Sequence, residues 1–269
     1  IRWGKWVVNE LKIDGFRMDA VKHIKDEFIA EFLTQVRAVY GEKFYSVGEY
    51  WKDDLGTLKE YLESLEYTTD LFDVGLHFNF HEASVRGKDF DLRTIFDNTI
   101  LMSDSMQAVS FVDNHDSQKG SALESQIESW FKPHAYAIIL LAERGYPCLF
   151  YGDYYGVGGQ ESEHRWIIDQ LLHVRKHYAY GGEIDYFDDP NIVGIYRTGR
   201  ENDLNTGCVA ILSNNEDGEK VIEVGQNRTG QVWKEVTGSG FDNVVIDDSG
   251  FAAFKVKAGK ISVWVPEEK

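Results

Sequence analysis

The sequence predicts an α/β fold followed by an all-β segment. Up to about Tyr180, apolar β-rich runs alternate with helical patterns at spacings of roughly 25 to 40 residues, as in βαβ units. Beyond that point, short alternating strands separated by turn residues are typical of an antiparallel β-sandwich. The alternation in the first part fits either a parallel barrel or an open, doubly wound sheet.

The elements of the first part follow from hydrophobic periodicity. Helices are predicted at 1–11, 27–39, 54–65, 92–101, 125–143 and 163–178, and strands at 13–20, 44–49, 71–76, 108–112 and 148–151. In the second helix Phe28, Phe32 and Val36 recur at helical spacing, and Gly41 provides a C-terminal stop. Five such strands are fewer than the eight of a complete barrel.

The first helix begins at the first residue, which is Ile rather than Met. Trp3, Trp6, Val7 and Leu11 are spaced to share one apolar face. Because the chain opens inside a folded unit, we expect an N-terminal part of the protein to precede it.

The second part is predicted to contain strands at 193–197, 207–213, 220–224, 231–236, 244–246, 250–256 and 261–265. The acidic segment 185–190 reads as a turn. We place the domain boundary near Gly181, which gives a first domain of residues 1–180 and a β-sandwich of residues 181–269.

Composition excludes several classes of function. The formal net charge of −17 over 269 residues is unsuited to nucleic acid, whose phosphates require a basic face, and fits a neutral substrate or a cation. No apolar run is long enough to cross a bilayer. Cys148 and Cys208 lack metal-ligand spacing, and two separate thiols are favoured over one disulfide, so the compartment is left open.

Acidic residues stand at the ends of three predicted strands. Arg17 and Asp19 are two apart and share a face, where a guanidinium would keep the carboxylate ionised, as a nucleophile requires. Glu49 is followed by Tyr50 and Trp51, and aromatic surroundings are typical of a carboxyl group that serves as an acid catalyst. A structural ion pair and a solvated loop glutamate are the alternative interpretations.

The third strand end carries Asp113, Asn114, His115 and Asp116, a cluster suited to binding sugar hydroxyls or, alternatively, to capping a helix. Lys22 and His23 follow the first strand closely and would contact substrate or begin the next helix. Trp51 and three further aromatics, Tyr50, Phe111 and Tyr151, would stack on sugar rings or pack in the core. Three carboxylates at three strand ends predict a glycoside hydrolase on a β/α scaffold.

Several stretches resemble the α-amylase family of glycoside hydrolases, closest to the bacterial liquefying type. Residues 14–24 (DGFRMDAVKHI), 47–51 (VGEYW) and 111–116 (FVDNHD) are similar to that family's fourth-, fifth- and seventh-strand motifs. Further similarity lies in 72–77, 130–133, 145–153 and 178–181. The resemblance implies strands 4 to 8 of a (β/α)8 TIM barrel, followed by an antiparallel Greek-key sandwich.

The resemblance also implies roles for individual residues. Asp19 would be the nucleophile, Glu49 the general acid/base and Asp116 the carboxylate that stabilises the transition state. Contacts with the substrate are implied for Arg17, Lys22, His23, Trp51 and His115. The backbone carbonyl of His23 would contribute to the family's main calcium site. A second calcium position would involve Asn191 and Asn214, where typical members carry Asp.

The family's first three strands and its protruding domain are not in this chain, and that domain supplies most ligands of the main calcium site. We therefore expect an N-terminal fragment of the same enzyme as a partner, and an α-glucan as substrate. The leading hypothesis is endo-acting, retaining hydrolysis of α-1,4-glucosidic bonds. The alternatives are a glucan-binding or inactive fragment, and a related transglycosylase or exo-acting glucosidase.

Overall fold

The computed structural model describes residues 1–267 and has a mixed α/β architecture with a parallel sheet and antiparallel sheets. The chain divides into two compact units. The first comprises Ile1–Phe78, Phe96–Phe111 and Arg144–Tyr146, and the second comprises Asn79–Ile95, Val112–Glu143 and Pro147–Lys269. Among the described residues, no helix is both long and apolar enough to span a bilayer.

The first part of the chain alternates helices with parallel strands. In order, the elements are α1 (Arg2–Leu11), β1 (Gly15–Met18), α2 (Asp26–Tyr40), β2 (Tyr45–Gly48), α3 (Leu55–Ser64), β3 (Asp70–Phe72), α4 (Val74–Arg86), α5 (Ile100–Ser103), β4 (Ala108–Phe111), α6 (Lys132–Leu141), β5 (Tyr146–Cys148), α7 (Tyr151–Tyr155) and α8 (Arg165–His177). The strands follow the order β1-β2-β3-β4-β5, and β1 to β4 pair in parallel. Because Met18 is in register with Gly48, the residues after β1 and β2 emerge side by side.

The second unit contains the antiparallel sheets. Their strands are β6 (Glu183–Tyr186), β7 (Ile192–Arg197), β8 (Cys208–Ser213), β9 (Gly218–Glu223), β10 (Val232–Glu235), β11 (Val244–Val245), β12 (Phe251–Val256) and β13 (Ile261–Pro266). One sheet has the order β11-β10-β13-β8-β7-β6, and the other pairs β12 with β9. Both sheets contribute to one hydrophobic cluster, in which Trp233, Phe254 and Trp264 are fully buried.

The segment between β3 and β4 differs from the prediction. The strand predicted at 71–76 is shorter in the structure, since β3 ends at Phe72, and the connecting helix is α4 rather than 92–101. The Asp73 side chain accepts a hydrogen bond from the Leu76 backbone N–H and so caps the start of α4. The predicted helix 92–101 is divided into a 3-10 turn, Leu92–Thr94, and the start of the short helix α5, because Asn98 between them has a left-handed φ of 56°, which interrupts a helix.

Two further elements correct the sequence interpretation. The predicted strand 148–151 is displaced, because β5 ends at Cys148 and α7 follows at Tyr151. The acidic segment 185–190 is only partly a turn, since Asp185 and Tyr186 belong to β6 and pair antiparallel with Ile195 and Gly194 of β7. The predicted domain boundary at 180/181 falls between α8 and β6 and stays a prediction. In the described residues Cys148 and Cys208 do not form a disulfide bond with each other, and Cys208 is buried.

The first helix forms as predicted, but its apolar face is not the buried one. Trp3, Trp6 and Leu11 are exposed, whereas Gly4 and Val8 are buried. A side chain at position 4 would meet the ring of Phe32 on α2, so the absence of a Cβ allows the two helices to approach closely. The hydrophobic pattern alone did not distinguish the side of the helix that contacts α2.

Candidate active site

One guanidinium contacts two of the three predicted catalytic carboxylates. Arg17 lies on β1, and its Nη1 pairs with Asp19 Oδ1, while its Nη2 lies 3.3 Å from Glu49 Oε1. The register of β1 with β2 makes this contact possible, because it sets the residues after the two strands side by side. The predicted pair of Arg17 with Asp19 is therefore present, and the structure adds Glu49 to it.

The two carboxylates stand in different environments. The Asp19 side chain is 70% exposed, whereas that of Glu49 is 6% exposed. Glu49 Oε2 accepts a hydrogen bond of 3.0 Å from the backbone N–H of Ala20, which has a left-handed φ of 48°. A buried carboxyl group held at both oxygens has a fixed orientation, while the exposed one is accessible to a ligand. This difference suits one group to proton transfer and the other to nucleophilic attack.

Lys22 and Trp51 lie next to this pair. The Lys22 ammonium donates a 3.0 Å hydrogen bond to the Trp51 carbonyl, which ties the two predicted substrate contacts together. The Trp51 ring is half-buried and lies 5.4 Å from the His77 ring and 6.1 Å from the Phe111 ring, centroid to centroid. The first unit thus combines acidic groups with an aromatic wall, which is a suitable surface for a sugar ring.

His23 lies at the end of a short 3-10 turn, Val21–His23, and is exposed. In the described part of the chain, no group of three or more His, Cys, Asp and Glu side chains is arranged to hold a metal ion. The role of the His23 carbonyl in binding calcium stays a prediction.

Asp116 and His115 belong to the second unit, on the loop that follows β4. His115 Nε2 lies 3.3 Å from Asp116 Oδ2, and both side chains are partly exposed. Asn114 shapes the loop, because its side-chain oxygen accepts hydrogen bonds of 2.8 Å from the backbone N–H groups of Asp116 and Ser117. The two predicted residues are therefore neighbours on an ordered turn.

A buried ion cluster lies beneath this turn in the second unit. Lys132 Nζ is 2.9 Å from Asp113 Oδ2 and also pairs with Asp153, and all three side chains are at most 6% exposed. Asp113 Oδ1 accepts a 2.8 Å hydrogen bond from the Ser117 hydroxyl. Burial lowers the pKa of Lys132, but attraction by Asp153 and Asp113 outweighs it and raises the pKa above the usual value. Burial raises the pKa of Asp153.

Asn191 and Asn214 fill the position that the family resemblance gives to a second calcium. Asn214 Nδ2 donates hydrogen bonds of 2.9 Å and 2.8 Å to the carbonyls of Gly87 and Phe90. Asn191 Nδ2 donates 2.9 Å and 2.8 Å bonds to the carbonyl of Lys88 and to Asn214 Oδ1. Amide hydrogens directed at three carbonyl oxygens do not fit a cation, which needs those oxygens for itself.

Sequence reasoning missed several residues of the site. His77 is fully buried and stacks on Phe111 at 5.0 Å with an interplanar angle of 8°. Lys132 lies in the family-like stretch 130–133, but the pattern does not show that its ammonium joins two distant aspartates. A lysine just before a proline at the start of an apolar helix was the available signal, because a charge there needs a buried partner.

Residues 2–246 of the chain match the family model described as "Alpha amylase, catalytic domain". The Bacillus licheniformis protein "Alpha-amylase" is 43% identical over 98% of this chain and 52% of its own length. The "Glucan 1,4-alpha-maltohexaosidase" of Bacillus sp. (strain 707) is 45% identical over 98% of this chain and 51% of its own length. The chain thus spans about half the length of these relatives.

Solved structures share the fold at low sequence identity. An alpha-amylase from Geobacillus thermoleovorans, complexed with acarbose, superposes with a TM-score of 0.74 at 20% identity, covering 98% of this chain and 62% of that one. An Anoxybacillus alpha-amylase gives a TM-score of 0.71 at 21% identity, covering 99% of this chain and 61% of that one.

Proposed function

Because the chain belongs to the alpha-amylase catalytic-domain family, we propose that it forms part of a retaining, endo-acting hydrolase of α-1,4-glucosidic bonds in starch-type glucans. The observation that carries this proposal is the contact of one guanidinium, that of Arg17, with both Asp19 and Glu49. A retaining mechanism needs its two carboxyl groups about 5 Å apart, and a shared guanidinium favours so short a separation.

The environments of the two groups assign their roles. Asp19, exposed and paired with Arg17, attacks the anomeric carbon and forms the glycosyl intermediate. Glu49, buried and held by the Ala20 N–H, gives its proton to the departing glycosidic oxygen and then takes one from water. Asp116 is the third carboxylate, which stabilises the transition state. His115 and Arg17 hold the reacting sugar, and further glucose units are contacted by Lys22, His23 and Trp51.

We also propose that activity needs chain beyond these residues. Within residues 1–267, the five-stranded sheet leaves β1 and β5 with one neighbouring strand each, which fits strands 4 to 8 of an eight-stranded barrel. Trp3, Trp6 and Leu11 expose apolar surface on α1 that further barrel elements would cover. The upstream strands would complete the sugar-binding cleft, with calcium bound near His23. A soluble, fully active species with the mass of this chain alone would refute the requirement.

The test replaces Glu49 by Gln in the complete enzyme, with hydrolysis of amylose followed by release of reducing ends. We expect turnover to fall by about 10²–10⁴-fold, which is the usual contribution of a general acid/base, while the binding of starch persists. Glu42→Gln, at an exposed position before β2, is the matched control and should retain full activity. Full activity of Glu49→Gln would overturn the assignment, and chromatography of products from long glucans would expose a transglycosylase or an exo-acting enzyme instead.

A further inference from the structure

We propose that a cleft beside Trp166, in the second unit, binds an α-1,4-glucan chain at a site separate from the predicted catalytic residues. The choice of glucan rests on the proposed function, whereas the site itself rests on the cleft's own geometry. The cleft has a volume of about 510 Å³, within the range of roughly 300–1,000 Å³ typical of small-molecule sites. None of the residues predicted to be catalytic or to bind substrate lines it.

Two indoles form the aromatic part of the cleft. Trp166, in the first turn of α8, is 55% exposed, although the next residue, Ile167, is buried. Trp130 is half-buried, and its indole N–H donates a 2.9 Å hydrogen bond to the Ser84 carbonyl, which fixes its orientation. An exposed indole and an anchored one that line the same cleft provide apolar surface that a sugar's C–H face would cover.

Gly238, in the loop after β10, allows the exposed Trp166 indole to lie close to the backbone. Its φ is +77°, and a Cβ at this position would lie 3.1 Å from the Trp166 ring. Glycine at position 238 therefore provides both the left-handed backbone and the space for the ring. The neighbouring Thr237 and Ser239 line the same cleft. Their hydroxyl groups donate to Glu235 Oε1 and to the Ile261 carbonyl, respectively, which leaves the hydroxyl oxygens as acceptors.

The polar groups of the cleft suit a neutral, polyhydroxylated ligand. Glu163 accepts a hydrogen bond from the Ser129 hydroxyl, and Lys257 and Lys260 also line the cleft. Charges of both signs, together with hydroxyl groups, offer donors and acceptors without a strong field of either sign. A polyanionic ligand is disfavoured by the chain's net charge of −17.

A second glucan site would increase retention of a polymeric substrate. When one polymer engages two sites on the same enzyme, the second contact forms at the effective concentration set by the linking chain. We therefore expect the cleft to matter more for starch than for short oligosaccharides.

Fluorine NMR of the complete enzyme labelled with 5-fluorotryptophan tests the proposal directly. The chain has seven tryptophans, and Trp166→Tyr assigns the resonance of that position by its disappearance. Titration with maltoheptaose should move the Trp166 resonance to saturation, and cellohexaose, a β-1,4-linked chain, should not. A Trp166 resonance that stays in place throughout the maltoheptaose titration would overturn the site, and equal shifts with both sugars would overturn the assignment to α-glucan.

Affinity electrophoresis in amylopectin gels supplies a second readout. Trp166→Ala should weaken retention roughly tenfold, the usual effect of truncating an aromatic anchor, and Trp166→Tyr should restore part of it. Tyr67→Ala removes another exposed aromatic side chain, outside the cleft, and should leave retention unchanged. Unchanged retention of Trp166→Ala would contradict the proposal. The same gels run with Glu49→Gln separate the two proposals, because loss of turnover with retained Trp166-dependent binding places the cleft outside the catalytic step.

Discussion

Replacement of His134 should remove part of the protein's sensitivity to acid. His134 lies on α6 and is fully buried, and its ring stacks on Phe131 at 4.9 Å with an interplanar angle of 3°. Its Nε2 is 2.9 Å from the Ser213 carbonyl. Burial lowers the pKa of His134 from 6.5 to about 4, and repulsion by Lys260 adds a smaller effect in the same direction.

The sign and size follow from linkage. A histidine whose pKa is depressed in the folded state contributes stability above its unfolded pKa, and this is lost as the pH falls through the folded value. The stability that neutral His134 contributes is therefore lost as the pH falls from about 6.5 to about 4. At 1.36 kcal/mol for each pKa unit, His134 should account for a loss of about 3 kcal/mol in the free energy of unfolding.

The assay is urea denaturation followed by tryptophan fluorescence at several pH values between 7 and 4. His134→Gln keeps an N–H donor for the Ser213 carbonyl but does not titrate. Between pH 7 and pH 4, the free energy of unfolding of this variant should therefore fall by about 3 kcal/mol less than that of the original chain. His173→Gln, which removes an exposed imidazole on α8, is the control and should retain the original pH dependence. Parallel pH profiles for His134→Gln and the original chain would refute the reasoning.

Two further changes test the buried polar networks of the second unit. Lys132→Met leaves the carboxylates of two buried aspartates uncompensated and should lower the free energy of unfolding by about 3–5 kcal/mol. Lys52→Met, at the exposed pair with Asp54, should cost less than about 1 kcal/mol in the same denaturation experiment. A similar, small loss in both variants would contradict the importance of the cluster. Replacing both Asn191 and Asn214 by Asp turns donors toward the three carbonyls into cation ligands, so the melting temperature should become more dependent on calcium than that of the original chain. An unchanged difference between calcium and EDTA would show that the amides do not take the place of a cation.

Local sequence patterns predicted which helices and strands lie near the site more accurately than the residues at which they begin and end. The helical spacing of Phe28, Phe32 and Val36 correctly predicted α2, and apolar runs ending in acidic residues correctly placed β1, β2 and β4. The same approach failed between β3 and β4, where buried apolar residues of 92–101 form turns around Asn98. Periodicity records which residues are buried, and a buried turn has the same composition as the apolar face of a helix.

In the candidate site, too, local sequence predicted some contacts, whereas others depend on tertiary structure. The chemistry of Asp19 and Glu49 could be inferred from their positions after two strands, as could the pairing of Arg17 with Asp19. The contact of that guanidinium with Glu49 could not, because it depends on the register of β1 with β2, which no local pattern encodes. The structure adds the contact of the His115 ring with the Asp116 carboxylate, while the catalytic roles of Asp19, Glu49 and Asp116 stay a prediction.

The sequence by itself determined the types and order of most elements and the placement of acidic residues at strand ends, because these depend on side-chain periodicities of two and 3.6 residues. Only the tertiary structure decided that Lys132 joins two buried aspartates, that Trp3 and Trp6 face outward while Gly4 lies against Phe32, and that Trp166 borders a cleft. Each of these contacts joins residues distant in the chain, and their geometry depends on close packing that the order of residues does not reveal locally.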